Sequence, residues 1–111
     1  MTTAIVFQLT ATVLETPERW TRGAIARNKN GVSTSTRKEQ TCWCLLGALE
    51  YACELAREKG VYASYSENLG VLKSTLRKHT RGFEHDVGRW NDNPENTYED
   101  VRAVLLEAER G

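Results

Sequence analysis

Hydrophobic residues between about Lys38 and Lys59 recur at the spacing of a helix. At about 100° per residue they collect on one arc, which is too wide for a helix lying on the surface. The pattern therefore predicts a central helix packed on more than one side. Gly47, inside it, costs about 1 kcal/mol relative to Ala, which predicts that another backbone or ring approaches there. The apolar arc consists of Cys42, Leu45, Leu46, Ala48, Leu49, Ala52, Cys53, Leu55 and Ala56.

Shorter patterns predict helices on both sides of this segment. The stretch from Ala4 to Glu15 has apolar residues at helical spacing, although it is also rich in strand formers, and we interpret it as a helix. A second helix is expected after Gly60, starting near Ser64 or Ser66. A last helix follows a capping box at Thr97 to Asp100, because Val101, Val104, Leu105 and Ala108 continue it at the right spacing.

A reversal is predicted between Gly23 and Ser35. Asn28 to Gly31 ends in Asn-Gly, which supplies the positive φ angles of a tight turn, and short strand-like segments flank it. Such a hairpin is not stable alone and must lie against helices. The predicted fold class is α+β, predominantly α-helical: one domain, residues 1–111, with three or four helices around the central helix (about 38–59) and a two-stranded hairpin (about 23–35).

Short motifs occur in a fixed order over roughly residues 9 to 108. They are Trp20-x-x-Gly23, Ala26-Arg27, Gly31, Cys44-x-x-Gly47-Ala48-Leu49, Trp90-Asn91-Asp92 and Thr97-x-x-Asp100-Val101. In this order they resemble a small domain family of unknown function found in bacteria and their phages. The resemblance implies a stand-alone bacterial or phage accessory protein, and it implies no activity, cofactor or catalytic residue.

The charge balance and hydropathy of the chain limit which kinds of partner and which cellular location we expect. The 111 residues carry 15 Lys and Arg against 15 Asp and Glu, so there is no broad positive field of the kind that duplex nucleic acid requires. No stretch approaches the roughly 20 apolar residues of a membrane span, and the chain begins without a basic leader, so we expect a cytoplasmic protein with reduced thiols. Dimerisation through tryptophans or an exposed helix face is compatible with this size.

Charge is nevertheless uneven along the chain. A basic strip without acids runs from residue 73 to residue 81, and an acidic stretch follows it. A solvated helix face accounts for such a run, and the alternative is contact with phosphate or an acidic protein surface. The strip consists of Lys73, Arg77, Lys78 and Arg81.

Cysteine chemistry is an open alternative. A thiol near a helix start has a lowered pKa, and His79 or His85 followed by Asn91 or Asp92 gives the order of a cysteine hydrolase or transferase. Cys42 projects onto the apolar arc, which leaves Cys44 as the accessible candidate. A zinc site is not expected, because Cys42, Cys44 and Cys53 do not converge and lack Cys-x-x-Cys spacing.

Trp90-Asn91-Asp92 is open to two interpretations. The polar pair can hydrogen-bond loop backbone while the tryptophan fills the core, or it can line a ligand pocket or partner groove. We expect a non-enzymatic binding protein without metal or cofactor, a phage or mobile-element factor that binds a host or defence protein. The alternative is a sensor or sponge for a small, nucleotide-like anion. The candidate binding residues are Trp20, Arg27, Trp43, Trp90, Asn91 and Asp92.

Overall fold

A computed structural model describes the fold of residues 2–79 and 86–111, with side chains described for residues 3–78 and 86–111. Within these ranges the protein is a predominantly helical α+β structure, which confirms the predicted fold class. The helices are α1 (Thr2–Val13), α2 (Leu45–Glu58), α3 (Tyr65–His79), α4 (Val87–Asp92) and α5 (Tyr98–Arg110). Two strands, β1 (Ala26–Arg27) and β2 (Cys42–Trp43), and two 3-10 turns, Pro17–Arg19 and Arg37–Glu39, complete it.

Helix α2 forms the centre of the structure, as the wide apolar arc predicted. It packs against α1, α3 and α4, while α5 packs against α1 and α3. Burial of the arc removes apolar surface from water, which stabilises the fold by about 25 cal/mol for each Å² buried. Its fully buried residues are Leu45, Ala48, Leu49, Ala52, Cys53 and Ala56.

The central helix begins at Leu45, later than the position expected from periodicity alone. The preceding residues, Cys42–Trp43, are extended because they pair with β1 in antiparallel register, Ala26 opposite Trp43 and Arg27 opposite Cys42. Cys44 is the N-cap residue, and its sulfur accepts a hydrogen bond from the Gly47 amide (3.4 Å).

The reversal predicted at Asn28 to Gly31 is present, with a different strand partner. Gly31 has a φ of 79°, and the Asn28 amide donates to the Val32 carbonyl (2.8 Å). The returning segment makes only an isolated bridge, between Arg27 and Ser33, and the ladder forms between β1 and β2. Pairing with β2 buries Trp43 to 8% exposure, whereas Val32 in the returning segment stays 58% exposed.

Helix α5 starts with the predicted capping box. The Thr97 hydroxyl accepts from the Asp100 amide (3.2 Å), and the Asp100 carboxylate accepts from the Thr97 amide (2.8 Å). The box therefore satisfies two of the backbone amides at this helix end, those of Thr97 and Asp100.

We expect Thr97→Ala to lower the free energy of unfolding by about 1 kcal/mol, because the side-chain acceptor of the cap is lost. Chemical denaturation of the purified variant measures this. Thr16→Ala is the matched control, since Thr16 is the N-cap of the Pro17–Arg19 turn but makes no side-chain capping bond. Equal losses for the two variants would contradict a capping role for the Thr97 hydroxyl.

Candidate functional site

Asn91 is the centre of a buried polar junction that joins three parts of the chain. It is fully buried, and its Oδ1 accepts from Trp20 Nε1 (2.7 Å) and from the Leu45 amide (3.0 Å). Its Nδ2 donates to the Thr21 carbonyl (3.1 Å) and to Asp92 Oδ1 (3.1 Å). The side chain thus ties the start of α2, the loop around residue 21 and helix α4 together.

Asp92 extends this junction to the next loop residue. Its Oδ1 accepts from the Gly23 amide (2.9 Å). Trp90, the first residue of the motif, is buried in the core at 5% exposure. This hydrogen bonding is the one expected of the structural alternative, in which a polar pair holds a loop while the tryptophan fills the core. Trp90 and Asp92 also line a hollow of about 380 Å³ with Arg89 and Asn93, as the pocket alternative expects.

Arg27 also serves the loop. Its guanidinium donates to the carbonyl oxygens of Arg22 (2.9 Å) and Gly31 (3.1 Å) and, through Nε, to the Thr21 hydroxyl (3.0 Å). Five donors in a fixed fork suit this bracing of an irregular backbone. These bonds hold the guanidinium among loop acceptors, and Thr21, which Arg27 contacts, is also bound by Asn91.

Trp43 lies instead in an open groove between α1, the Pro17–Arg19 turn, β2 and α2, which we call the aromatic groove. Its volume is about 440 Å³. The buried Val13 and Trp43 and the half-buried Tyr51 and Leu55 supply apolar and aromatic surface, while exposed Thr12 and Arg19 stand at the rim. The groove is lined by Thr12, Val13, Arg19, Gln40, Thr41, Trp43, Tyr51 and Leu55.

The aromatic side chains of the groove are held in place by their neighbours. Trp43 stacks on Tyr51, with ring centroids 5.4 Å apart, and Trp43 Nε1 donates to Gln40 Oε1 (2.8 Å). The same oxygen accepts from Arg37 (2.7 Å), whose guanidinium lies 4.6 Å from the Tyr51 ring centroid and pairs with Glu54. Such a layered arrangement restricts rotamers and fixes the groove before any ligand arrives.

A second hollow adjoins the groove at the turn that follows β1, and we call it the lysine hollow. Its volume is about 270 Å³. Thr41 lines both this hollow and the aromatic groove. Its lining consists of Asn28, Lys29, Asn30, Lys38, Glu39 and Thr41.

The thiols are arranged in the opposite order to the one expected. Cys44, the predicted accessible candidate, is only 4% exposed, whereas Cys42, predicted in the core, is half-buried. The strand at Cys42–Trp43 explains the reversal, because helical projection does not apply to an extended segment. Burial raises the pKa of the Cys44 thiol, an effect that outweighs the hydrogen bonds from backbone amides. A raised pKa reduces the thiolate fraction near neutral pH, which is unfavourable for a nucleophile.

We therefore expect iodoacetamide near neutral pH to modify Cys42 before Cys44 and Cys53. Cys53 is fully buried, and burial raises its pKa as well. Peptide mapping by mass spectrometry over a time course gives the three rates. In denaturant all three thiols should react at similar rates, and faster modification of Cys44 in the native protein would restore the hydrolase alternative.

The described residues of the basic strip do not line the groove. Lys73, Arg77 and Lys78 are on α3, with Arg77 and Lys78 exposed, and none of the three lines the aromatic groove or the lysine hollow. Arg81, the fourth residue of the strip, lies outside the described residues, as do the side chains of His79 and His85.

Several groove residues were not anticipated from the sequence. Tyr51 and Gln40 carry no motif, and their roles depend on the strand at residues 42–43, which periodicity assigned to the helix. The spacing of Tyr51 and Leu55, four residues apart on α2, is the one available signal, because such pairs share a helix face.

Within residues 3–78 and 86–111, no cluster of three or more His, Cys, Asp or Glu side chains is placed to hold a metal ion. Among the helices in the described part of the chain, none combines the length and apolar character needed to cross a membrane.

The fold and site define a small, mainly helical α+β protein with an aromatic groove and, beside it, the lysine hollow. The chain belongs to a family of unknown function, DUF6197, whose model matches residues 1–110. This confirms the predicted membership of a small domain family without an assigned activity. No curated protein matches the chain, and no solved structure does so.

Proposed function

We propose that this protein is a small non-enzymatic binding protein that recognises another protein through its aromatic groove. The observation that carries the proposal is the open volume of about 440 Å³ beside Trp43 and Tyr51, with polar side chains at its rim. An apolar centre with a polar rim is the arrangement through which protein surfaces bind side chains of a partner.

The rigidity of the groove supports this use. Trp43 is fixed by its stack on Tyr51 and by its hydrogen bond to Gln40. A surface that is already ordered loses little conformational entropy on association, so more of the contact free energy appears as affinity.

The other prominent polar residues support a structural rather than a catalytic role. Asn91 uses both side-chain atoms within the buried junction, and Arg27 is bonded to loop oxygens. Cys44 is a buried helix cap with a raised pKa. We place the protein in the cytoplasm, as a phage or mobile-element accessory factor whose partner is a host or defence protein.

Affinity capture from a bacterial host lysate tests this proposal. We expect a specific partner to be retained by the wild-type protein and lost with Thr12→Tyr, which adds a ring at the exposed rim of the groove. Ser74→Tyr is the matched control, because Ser74 is exposed on α3 and does not line the groove. Failure to retain any specific partner, or retention that is insensitive to Thr12→Tyr, argues against the proposal.

The second candidate function, binding of a small nucleotide-like anion, is favoured by the lysine hollow, which brings Lys29 and Lys38 to one depression. Thermal-shift measurements with nucleotides separate the two candidates. A ligand present at 100 times its dissociation constant adds about 2.7 kcal/mol to stability. A hit abolished by Lys29→Ala and Lys38→Ala would favour the anion sensor, and the absence of stabilisation would favour the protein partner.

A further inference from the structure

We propose that the protein forms a reversible dimer by pairing an open edge of its sheet with the same edge of a second copy. The edge is the returning segment at residues 32–36, which we call the edge segment. It does not line the aromatic groove, so the inference goes beyond the proposed function and is tested separately. The dimer carries two aromatic grooves, so a partner with two recognition segments can be held at both.

Alternate residues of the edge segment leave their backbone groups unused. The carbonyl of Val32 and the amide of Thr34 are hydrogen-bonded to residues 26–28, at 2.8 and 3.1 Å. The amides and carbonyls of Ser33 and Ser35 make no hydrogen bond within the described part of the chain. Because successive residues of an extended chain direct their backbone groups to opposite sides, those of Ser33 and Ser35 face away from β1.

The other edge of the sheet is already covered. Trp20 forms a parallel bridge with Trp43, and the Thr21 amide donates to the Trp43 carbonyl (3.0 Å). Of the two edges of this sheet in residues 2–79, the one at the edge segment is therefore the open one. Such an edge is a template on which another extended chain can pair.

The edge segment also lacks the features by which proteins prevent pairing at an edge. Charged side chains and prolines are the usual ones. Its sequence, Val-Ser-Thr-Ser-Thr, has neither, and three of its five residues are β-branched, which favours an extended conformation. Val32 is 58% exposed, and Ser33, Ser35 and Thr36 are exposed as well. Small uncharged side chains allow a second backbone to come within hydrogen-bonding distance.

The occupant that fits this edge is the edge segment of a second copy, because the unused groups are arranged symmetrically about Thr34. In an antiparallel pair centred on Thr34, Ser33 of each copy lies opposite Ser35 of the other, and all their unused amides and carbonyls are paired. The same register places Val32 opposite Thr36 of the second copy and the two Thr34 side chains opposite each other. Cross-strand pairs of β-branched side chains stabilise a sheet.

Charge does not oppose association of two copies. The formal net charge of the chain is zero at pH 7, so there is no general repulsion between copies. The charged residue that follows the edge segment, Arg37, is paired with Glu54 of its own chain.

The contact is small, which sets the expected strength of the dimer. A strand of five residues spans about 17 Å. Stable protein interfaces bury about 1,200–2,000 Å² in total, more than so short a strand provides by itself. We therefore expect association that reverses on dilution.

Sedimentation velocity of the wild-type protein at concentrations up to about 1 mM tests the inference, and we expect the dimer fraction to rise with concentration. Ser35→Pro removes an amide that each copy donates across the pair, although the monomer does not use it. This variant should weaken the dimer by about tenfold or more. Ser35→Ala keeps the amide and is the matched control, which should dimerise like the wild type. Thermal unfolding checks that both variants are folded.

Amide hydrogen exchange measured by NMR on the wild-type protein gives a second readout that requires no variant. The Ser33 and Ser35 amides should exchange more slowly at high protein concentration than at low concentration. The Thr34 amide, which is bonded to the Ala26 carbonyl within each copy, should be unaffected.

Each other outcome counts against the inference. A protein that stays monomeric over the whole range overturns it and leaves the proposed function standing, because the edge segment does not line the groove. A dimer that Ser35→Pro does not weaken lies on another surface, and a dimer lost equally with Ser35→Ala depends on side chains instead of backbone. Ser33 and Ser35 amides that become protected only when a captured partner is added assign the edge to that partner instead of a second copy.

Discussion

Asn91→Ala should lower the free energy of unfolding by about 3 kcal/mol. The substitution removes both hydrogen-bonding atoms of a fully buried side chain and leaves Trp20 Nε1, the Leu45 amide and the Thr21 carbonyl without this partner. A buried polar group that loses its hydrogen-bond partner lowers the free energy of unfolding by about 1–3 kcal/mol. Urea denaturation followed by tryptophan fluorescence measures the change.

The matched control is Asn30→Ala. Asn30 is exposed in the turn after β1, and its side chain makes no hydrogen bond within the described part of the chain. Its replacement should change stability by no more than about 0.5 kcal/mol, the usual range for surface substitutions. A loss below about 1 kcal/mol for Asn91→Ala would contradict its role as the centre of the junction.

The junction also positions the groove. Asn91 binds the Thr21 carbonyl, and the Thr21 amide donates to the Trp43 carbonyl (3.0 Å). The chain of contacts runs from helix α4 through the loop to the aromatic floor. Asn91, which does not line the aromatic groove, can therefore influence binding there by fixing the strand that carries Trp43.

Gly47→Ala should destabilise the protein by about 3 kcal/mol. A Cβ at this position would lie 2.2 Å from the Ile25 carbonyl oxygen and 2.9 Å from Ile25 Cγ2. The backbone of Ile25 has little freedom to retreat, because its carbonyl accepts the Cys44 amide (3.0 Å) at the start of α2. The cost of forcing side chains into a packed interior, about 1–3 kcal/mol or more, outweighs the helix propensity of Ala.

Gly70→Ala, the same substitution at an open position, should have the opposite effect on stability. Gly70 is exposed in α3, and a Cβ there would meet nothing within 4 Å. The substitution should raise stability by about 0.5–1 kcal/mol, since Ala loses less backbone entropy in a helix than Gly. Thermal and urea unfolding of both variants check the pair, and a neutral Gly47→Ala would show that the two segments can separate without cost.

The features that the sequence predicted correctly depend on residues close together in the chain. The capping box at Thr97 and Asp100 and the turn at Gly31 depend on neighbouring residues only, and both are present. The Gly47 approach was also predicted, because a glycine inside a strongly helical pattern has to be compensated by a contact. The identity of that contact, the Ile25 carbonyl, depends on pairing that periodicity does not encode.

The arrangement of the candidate site depends on contacts between segments that are distant in the sequence. Trp43 was predicted as a binding residue together with Arg27 and Asn91. Trp43 lines the aromatic groove, whereas the side chains of Arg27 and Asn91 both hydrogen-bond Thr21 in the adjoining loop. The choice between a cysteine at the helix edge and one in the core was also made on helical projection. Projection failed because β1 holds Cys42 and Trp43 in an extended conformation.

The sequence by itself determined the helical character of the chain, the central place of the segment ending at Glu58, the turn at Gly31 and the capping box at Thr97. These features follow from side-chain periodicity and from hydrogen bonds within a few residues. Only the tertiary structure decided where α2 starts, which thiol is buried and which aromatic side chains border an open groove. These depend on contacts between distant segments, above all β1 with β2 and Asn91 with the loop at Thr21, whose free energies outweigh local preference.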